Sequence, residues 1–173
     1  MRCAERDTRG LVVVEQIVMD GLTFIEVAWQ SAHYTDGLDL RNRTLRLPLG
    51  LQFSSDDIQA EQHQSHYAAL LDKKLVGCLS VLAEGHERVR LRQMAVEPAY
   101  QRIGIGSFLI RRVESALMHN GPTHICLHAR QTAIGFYEKL GYTTSGEVFT
   151  EVTIPHVVMI KTLSGSSGDR HNV

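Results

Sequence analysis

The sequence predicts an α+β protein with one mixed, mostly antiparallel sheet of six to seven strands flanked by helices. One observation is the order of segments: strand, helical region, three strands, helix, strand, helix, two strands. A second is an apolar strand that ends at Pro98 and leads through a glycine-containing turn into an amphipathic helix. The third is composition, since 173 residues with 43% hydrophobic and 21% charged residues can bury one sizeable core.

The first half of the chain contains alternating strand and helix signals. Residues 1–10 are polar, and residues 11–14 fit either a short strand or a packing arm. The segments that follow are a strand over 22–29, a helix over 31–47 that breaks before Pro48, a loop over 49–60, and two strands over 67–72 and 75–83. The two strands are joined tightly through Lys73 and Lys74, which indicates an antiparallel hairpin.

The central strand covers residues 88–96, and Pro98 ends it because proline has no N–H for a sheet ladder. The helix that follows has Leu109, Val113 and Leu117 at helical spacing. The later segments are a strand over 123–129, a helix over 131–140 ended by Gly141, closing strands over 142–152 and 156–163, and a tail over 164–173. We expect a single domain over 1–163 and a disordered tail.

Composition excludes several classes of function. A net charge of −1 gives no reason to expect nucleic-acid or membrane-surface binding. The N-terminal residues lack the apolar stretch of a signal peptide, so we expect a cytoplasmic protein. Three cysteines without metal-like spacing indicate free thiols, with Cys78 and Cys126 in the core, and His63 and His66 lack a third ligand. We therefore expect no metal site.

The turn before the central helix is suited to hold a phosphate group. The N–H groups of a first helical turn point outward, and Gly104 and Gly106 remove side chains that would keep a ligand away. Arg102 adds a cation. The dinucleotide pattern fails because Leu109 stands where its third glycine belongs, and the Walker pattern is absent. A glycine turn that only caps the helix is the alternative.

A second motif follows the strand over 123–129. Ala133 and Tyr137 are one turn apart and share a helix face, whereas Phe136 and Leu140 form an apolar line that can pack on the sheet. Phe136 fits a core position. Gly141 can adopt the left-handed conformation that ends the helix.

Both motifs, in this order, resemble those of the GNAT N-acetyltransferase superfamily. Residues 101–106 resemble its Gln/Arg-x-x-Gly-x-Gly/Ala signature, and residues 133–142 resemble its Ala-x-x-Phe-Tyr-x-Lys-x-Gly-Phe/Tyr pattern. The resemblance covers about residues 20–163. Ile154, Pro155 and His156, followed by Met159, are similar to the ElaA-type acetyltransferases.

The resemblance implies a sheet that splays between strands 88–96 and 123–129 and holds acetyl-coenzyme A (acetyl-CoA) there as co-substrate, without a metal. A primary amine would attack the thioester directly, so no acyl-enzyme forms, and a homodimer is compatible with the family. The residues implied to bind the cofactor are Met94, Ala95, Val96, Gln101, Arg102, Ile103, Gly104, Ile105, Gly106, Ser107, Ala133, Phe136 and Tyr137.

Tyr137 is implied to assist the departing sulfur, the alternative being a buried tyrosine bonded to a carbonyl. Some relatives have a glutamate base early in the central strand, but here residues 90–93 read Arg-Leu-Arg-Gln. The open candidates for the base are His128, His156, Glu97, Glu151 and a water chain. Arg92 and Arg130 could bind an acidic acceptor, face phosphate or be solvated. A non-catalytic acyl-CoA-binding module and a nucleotide-binding module remain as alternative functions.

Overall fold

Seven strands form one sheet in a computed structural model, which describes residues 20–119, 121 and 123–163. The strands are β1 (Leu22–Val27), β2 (Ser65–Leu71), β3 (Lys74–Ala83), β4 (Arg88–Val96), β5 (His124–Arg130), β6 (Thr143–Glu151) and β7 (Ile154–Thr162). Their order is β1-β2-β3-β4-β5-β7-β6, and only β4 and β5 pair in parallel. The predicted mixed, mostly antiparallel sheet is confirmed. The predicted arm over 11–14 and tail over 164–173 lie outside the described residues.

The described residues contain four α-helices, which connect or cover the strands. They are α1 (Ala32–Arg41), α2 (Ser55–Gln59), α3 (Ile105–Met118) and α4 (Ile134–Glu138). Short 3-10 turns cover Leu47–Leu49, Pro98–Tyr100 and Gln131–Ala133. No helix in these ranges is long and apolar enough to cross a membrane.

The helical prediction over 31–47 is correct in outline but wrong at its end. The hydroxyl of Ser31 caps α1 by accepting a hydrogen bond from the Tyr34 N–H. After α1 the chain continues through a π-helical turn, Asn42–Arg46, into the 3-10 turn that contains Pro48. Proline fits the beginning of a helical turn because its missing N–H would have no partner there.

Two other boundaries differ from the prediction. Residues 49–60 contain α2, because Ser54 and Asp57 form a capping box that satisfies backbone N–H groups at the helix start. The hairpin turn between β2 and β3 lies at Asp72 and Lys73, one residue earlier than predicted. Both residues have positive φ, 49° and 69°, as a two-residue hairpin loop with the right-handed strand twist requires.

Helices pack on both faces of the sheet. Leu109 and Val113 of α3 are fully buried on one face, together with Leu91 of β4 and Leu127 of β5. On the other face, Leu40 of α1 packs in a second cluster that includes Ala68, Cys78 and Ala95. Alternate residues of β4 and β5 therefore face opposite layers, as strand periodicity requires.

A buried ion pair joins α1 to the chain before β2. Arg41 donates to both carboxylate oxygens of Glu61, at 2.7 and 2.9 Å, and the Tyr34 hydroxyl donates to Glu61 at 2.7 Å. Arg41 also donates to the side-chain oxygen of Gln93 in β4. Burial alone would raise the pKa of Glu61, but the bonds from Arg41 hold that pKa below its ordinary value. The carboxylate therefore stays charged and keeps α1 in register with β4.

Replacing Glu61 should destabilise the fold strongly. In Glu61→Gln the charge of Arg41 remains buried without its carboxylate, which costs about 3–5 kcal/mol. Urea denaturation measures this loss. The matched control is Asp39→Asn, which removes the exposed partner of Arg43 and should cost less than about 1 kcal/mol.

The same variant tests a pH dependence. Because the folded pKa of Glu61 lies below its unfolded value, the stabilisation is complete above the unfolded pKa and is lost as pH falls through the folded one. As the pH falls below about 5, the free energy of unfolding of the wild type should therefore decrease more steeply than that of Glu61→Gln. Equal slopes would contradict the charged Glu61.

Candidate active site

The site begins where β4 and β5 separate. Their parallel ladder contains four residue pairs, from Arg88 with His124 to Leu91 with Leu127. Beyond Leu91, β4 continues along β3 and β5 continues along β7. A register shift between β3 and β4 and a positive φ of 52° at Gln93 mark a bulge at this point. The predicted splay between the two strands is confirmed, and residues 94–96 border the gap.

A cleft of about 310 Å³ opens over this gap. Five of the residues predicted from sequence line it: Met94, His128, Ala133, Tyr137 and His156. Glu151, Arg92 and Arg130 line it as well. Ala95, Val96, Phe136 and the turn over 101–107 lie outside its lining. The structure thus gathers the candidate acid, Tyr137, with three of the candidate bases, His128, His156 and Glu151, whereas the glycine turn lies outside the lining.

The glycine turn is open to solvent. Gly104 has φ of +100° and begins α3, and a Cβ placed on it would meet no atom within 4 Å. No side chain caps α3, although its first N–H groups lack intrahelical acceptors. Gln101 donates its side-chain amide to the Val96 carbonyl at 3.0 Å, which ties the turn to the end of β4. Within the part of the chain that the structure describes, no side chain fills the space beside Gly104.

Gly106 connects this turn to the second motif. A Cβ at Gly106 would lie 3.2 Å from the ring of Phe136 and 3.6 Å from the terminal methyl of Met94. The glycine therefore lets α4 approach the first turn of α3. Phe136 also packs edge-on against Tyr137, with ring centroids 4.9 Å apart. Phe136 is thus a packing residue between the turn and the cleft.

Tyr137 lines the cleft. Its ring meets Tyr142 edge-on, and burial raises the pKa of Tyr137 to about 12, against the opposing charge of Arg130. Its hydroxyl makes no hydrogen bond with another described residue. The alternative, in which this hydroxyl donates to a carbonyl, therefore has no acceptor among those residues. The phenol is protonated at neutral pH and can donate.

His128 and His156 each have one ring nitrogen engaged. His128 Nδ1 lies 3.1 Å from Glu151 Oε1, and His156 Nδ1 lies 2.8 Å from the Ile154 carbonyl. Carboxylate and carbonyl oxygens only accept, so Nδ1 carries the proton in both neutral rings and Nε2 retains its lone pair. The ring of Phe149 contacts both histidines. Either Nε2 can act as a base.

The remaining candidates have other environments. Glu97 pairs with Arg43 at 3.2 Å and does not line the cleft. Cys78 and Cys126 are buried, as predicted. Among the residues described, no group of three metal-ligating side chains comes together.

The sequence predicts that residues 31–60 and the closing hairpin set the acceptor, but no motif identifies the residues that form one wall of the cleft. Leu45, Arg46, Leu49 and Phe53 form it, from the turns that follow α1. Their segment has no motif, although Arg46 and Phe53 are close enough for a cation–π contact, 4.6 Å from guanidinium carbon to ring centroid. Only the tertiary fold brings this wall to the cleft.

Comparison with known sequences places the chain among acetyltransferases. The family profile described as "Acetyltransferase (GNAT) domain" matches residues 51–163. The uncharacterized protein YyaT of Bacillus subtilis is 33% identical over 113 residues, which span 65% of this chain and 75% of YyaT. The uncharacterized N-acetyltransferase YitI of the same organism is 29% identical over 138 residues, 76% of this chain and 93% of YitI.

Solved structures have the same fold. The crystal structure of a protein from Lactobacillus plantarum, described as an N-acetyltransferase, matches this chain with a TM-score of 0.76 and 22% sequence identity. The match covers 84% of this chain and 100% of that one. Escherichia coli ElaA has a TM-score of 0.68 and 19% identity, with 81% and 99% covered. A GNAT family acetyltransferase from Elizabethkingia anophelis, with acetyl-CoA bound, has a TM-score of 0.64 and 18% identity, with 83% and 99% covered. These likenesses show the fold alone, so membership of the ElaA subgroup stays a prediction.

Removing the Tyr137 hydroxyl should leave stability nearly unchanged. Tyr137→Phe deletes a group without a hydrogen-bond partner among the described residues, so we expect a change below about 0.5 kcal/mol in the free energy of unfolding. The matched control is Tyr142→Phe, whose buried hydroxyl donates to Glu114 at 2.8 Å and should cost about 1–3 kcal/mol. Urea denaturation of both variants measures the difference. Equal losses would indicate that Tyr137 is a structural hydroxyl.

Proposed function

This chain belongs to the GNAT acetyltransferase family and is an acyltransferase, and we propose that it moves the acetyl group of acetyl-CoA to a primary amine by direct attack in a ternary complex. The observation that carries the proposal is the gap beyond Leu91, where Tyr137 and Met94 line the cleft and Met94 also reaches the first turn of α3 beside Gly106. Such a gap suits a long, strand-like cofactor arm between a phosphate site and a reacting end.

The residues around the gap fit acetyl-CoA in two ways. The backbone of residues 94–96, at the separated edge of β4, can pair with the amide groups of the pantetheine arm. The N–H groups from Arg102 to Ser107 can hold the diphosphate, where the α3 dipole favours negative charge. The Elizabethkingia relative supports this choice, since its structure contains acetyl-CoA. We assign both roles to this chain on these grounds.

The reaction needs a nucleophilic amine, a stabilised oxyanion and a leaving thiolate. A backbone N–H of β4 would donate to the thioester oxygen while the amine nitrogen bonds to the carbonyl carbon. As the C–S bond breaks, its electron pair stays on sulfur, and the Tyr137 hydroxyl donates to it. His128 Nε2, with Nδ1 held by Glu151, takes the proton from the amine, and His156 is the second candidate.

The cysteines do not suit a covalent route. Burial raises the pKa of Cys78 to about 12, and burial together with Glu84 raises the pKa of Cys126. Both thiols are therefore protonated, whereas the thiolate is the nucleophile. Neither lines the cleft. This supports direct attack by the amine.

Thiol release from acetyl-CoA with a panel of amines tests the proposal. Wild type should release one free thiol per amine acetylated. Tyr137→Phe should lower kcat about 10²-fold or more, with little change in the KM for acetyl-CoA. Because the pKa of Tyr137 is raised to about 12, its loss of a proton should not limit kcat at any pH below that value.

Two results would contradict the proposal. Binding of coenzyme A without thiol release for any amine would favour a non-catalytic acyl-CoA-binding module. Thermal stabilisation by ATP or NAD, and not by coenzyme A, would favour a nucleotide-binding module. His128→Gln with wild-type kcat would transfer the base role to His156 or water and leave the acetyl transfer intact.

Replacing Gly104 should weaken coenzyme A binding. A valine at Gly104 places a branched side chain over the open bend, and we expect at least about a tenfold rise in Kd by calorimetry. The matched control is Gly85→Val in the turn before β4, since Gly85 has nearly the same φ, +99° against +100°, and equally open surroundings. Both variants carry the same backbone strain, so a difference in Kd between them reports contact with coenzyme A at Gly104. Unchanged affinity in Gly104→Val would place the diphosphate elsewhere.

A further inference from the structure

We propose that the acceptor amine is a small molecule that carries an anionic group, a carboxylate or a phosphate, and that Arg92 and Arg130 bind this group. The proposal rests on the proposed amine acetylation in the same cleft and specifies its substrate class. The proposal follows from the positions of the four arginines that line the cleft and from which of these arginines have a carboxylate partner.

The arginines of β4 and β5 share one face of the sheet. Arg90 lies opposite Cys126 in the parallel ladder. Arg92 and His128 each follow two residues later on the same face of the sheet, just beyond the last pair of the ladder. Arg130 follows two residues later and lies opposite His156 of β7. Strand alternation therefore puts Arg92 on one lip of the gap and Arg130 on the other, beside the two candidate bases.

The cleft has an excess of positive charge. Arg46, Arg90, Arg92 and Arg130 line it, and Glu151 is the one carboxylate in the same lining. Glu84 neutralises Arg90 through a close ion pair. Within the described ranges, neither Arg92 nor Arg130 has a carboxylate oxygen within 4.0 Å. A guanidinium without a partner in a concave site attracts and orients an anion by paired hydrogen bonds.

One further carboxylate lies near this region. The pKa of Asp57, at the start of α2, is lowered chiefly by hydrogen bonds from Ser54, and the charges of Arg46 and Arg92 lower it further. Its carboxylate already accepts hydrogen bonds from the Ser54 N–H and hydroxyl, at 2.9 and 2.8 Å. The Asp57 charge reduces the positive field at the α1 side of the cleft.

The cofactor phosphates do not explain these arginines. Val89 and Leu91 pack with Ile105 and Leu109 of α3, so the glycine turn belongs to the layer on that face of the sheet. Arg90 and Arg92 alternate with them and face the layer of Arg46 and Phe53. The diphosphate site and the arginine pair therefore lie on different faces. A cleft of about 310 Å³ suits a small amine.

Matched amines that differ only in the anionic group test the proposal. The pairs are 4-aminobutyrate with its amide, glycine with glycinamide, and phosphoethanolamine with ethanolamine, together with peptides of acidic N-terminal sequence. We expect anionic members to have about tenfold or higher kcat/KM than their neutral partners, and the pairs separate carboxylate from phosphate. In Arg92→Gln and Arg130→Gln, the KM for the anionic amine should rise about 10- to 100-fold, with that for acetyl-CoA unchanged.

The control variant is Arg111→Gln, which removes the same charge from the exposed side of α3 and should leave both KM values unchanged. Faster acetylation of neutral amines by wild type, or equal loss in all arginine variants, would overturn the proposal. Preference for acidic peptides over every small amine would overturn the small-molecule class. If no amine is acetylated, calorimetry with glutarate in the presence of coenzyme A still decides: binding lost in Arg92→Gln supports the anion site, and no binding to wild type overturns it.

Discussion

The site depends on the early end of the parallel ladder between β4 and β5. Both strands remain hydrogen-bonded on their outer edges, β4 to β3 as far as Val96 and β5 to β7 as far as Arg130. Their inner edges beyond Leu91 and Leu127 face each other without pairing. Backbone groups left in this way need another partner, and an extended molecule with amides of its own can supply it. The binding proposed for the gap therefore uses backbone complementarity, which makes few demands on side-chain identity.

The bulge that opens this gap is held by a buried charge network. Gln93 has a positive φ, a conformation that costs energy for a residue with a Cβ. Its side chain accepts from Arg41, which is itself fixed by Glu61. A buried ion pair contributes little net stability compared with apolar residues, but it tolerates only one arrangement of its partners. In this fold it ties α1, α2 and the bulge together, and so fixes one wall of the cleft relative to the other.

The sequence was sufficient for the segments with strong periodicity and for the two motifs, because apolar spacing and glycine position act locally. Those signals predicted the strand order along the chain, the bend at Gly104 and the face of Tyr137. The missed features depend on partners distant in sequence. Arg41 and Glu61 are twenty residues apart in segments without a shared pattern, and the ladder ends at Leu91 because of pairing with other strands. The α2 helix was missed for a different reason: its five residues carry only a capping signal, from Ser54 and Asp57.

The charge of the cleft also bears on the choice of base. Arg92 of β4 lines the cleft and residues 88–96 contain no carboxylate, so this strand contributes a cation there. A nearby guanidinium disfavours the ammonium form of an amine, which lowers the amine pKa and increases its reactive neutral fraction. In the proposed reaction, a weak base such as His128, oriented by Glu151, would then suffice to collect the proton as the bond forms. The same cations that would hold an anionic substrate group would thus reduce the need for a dedicated carboxylate base.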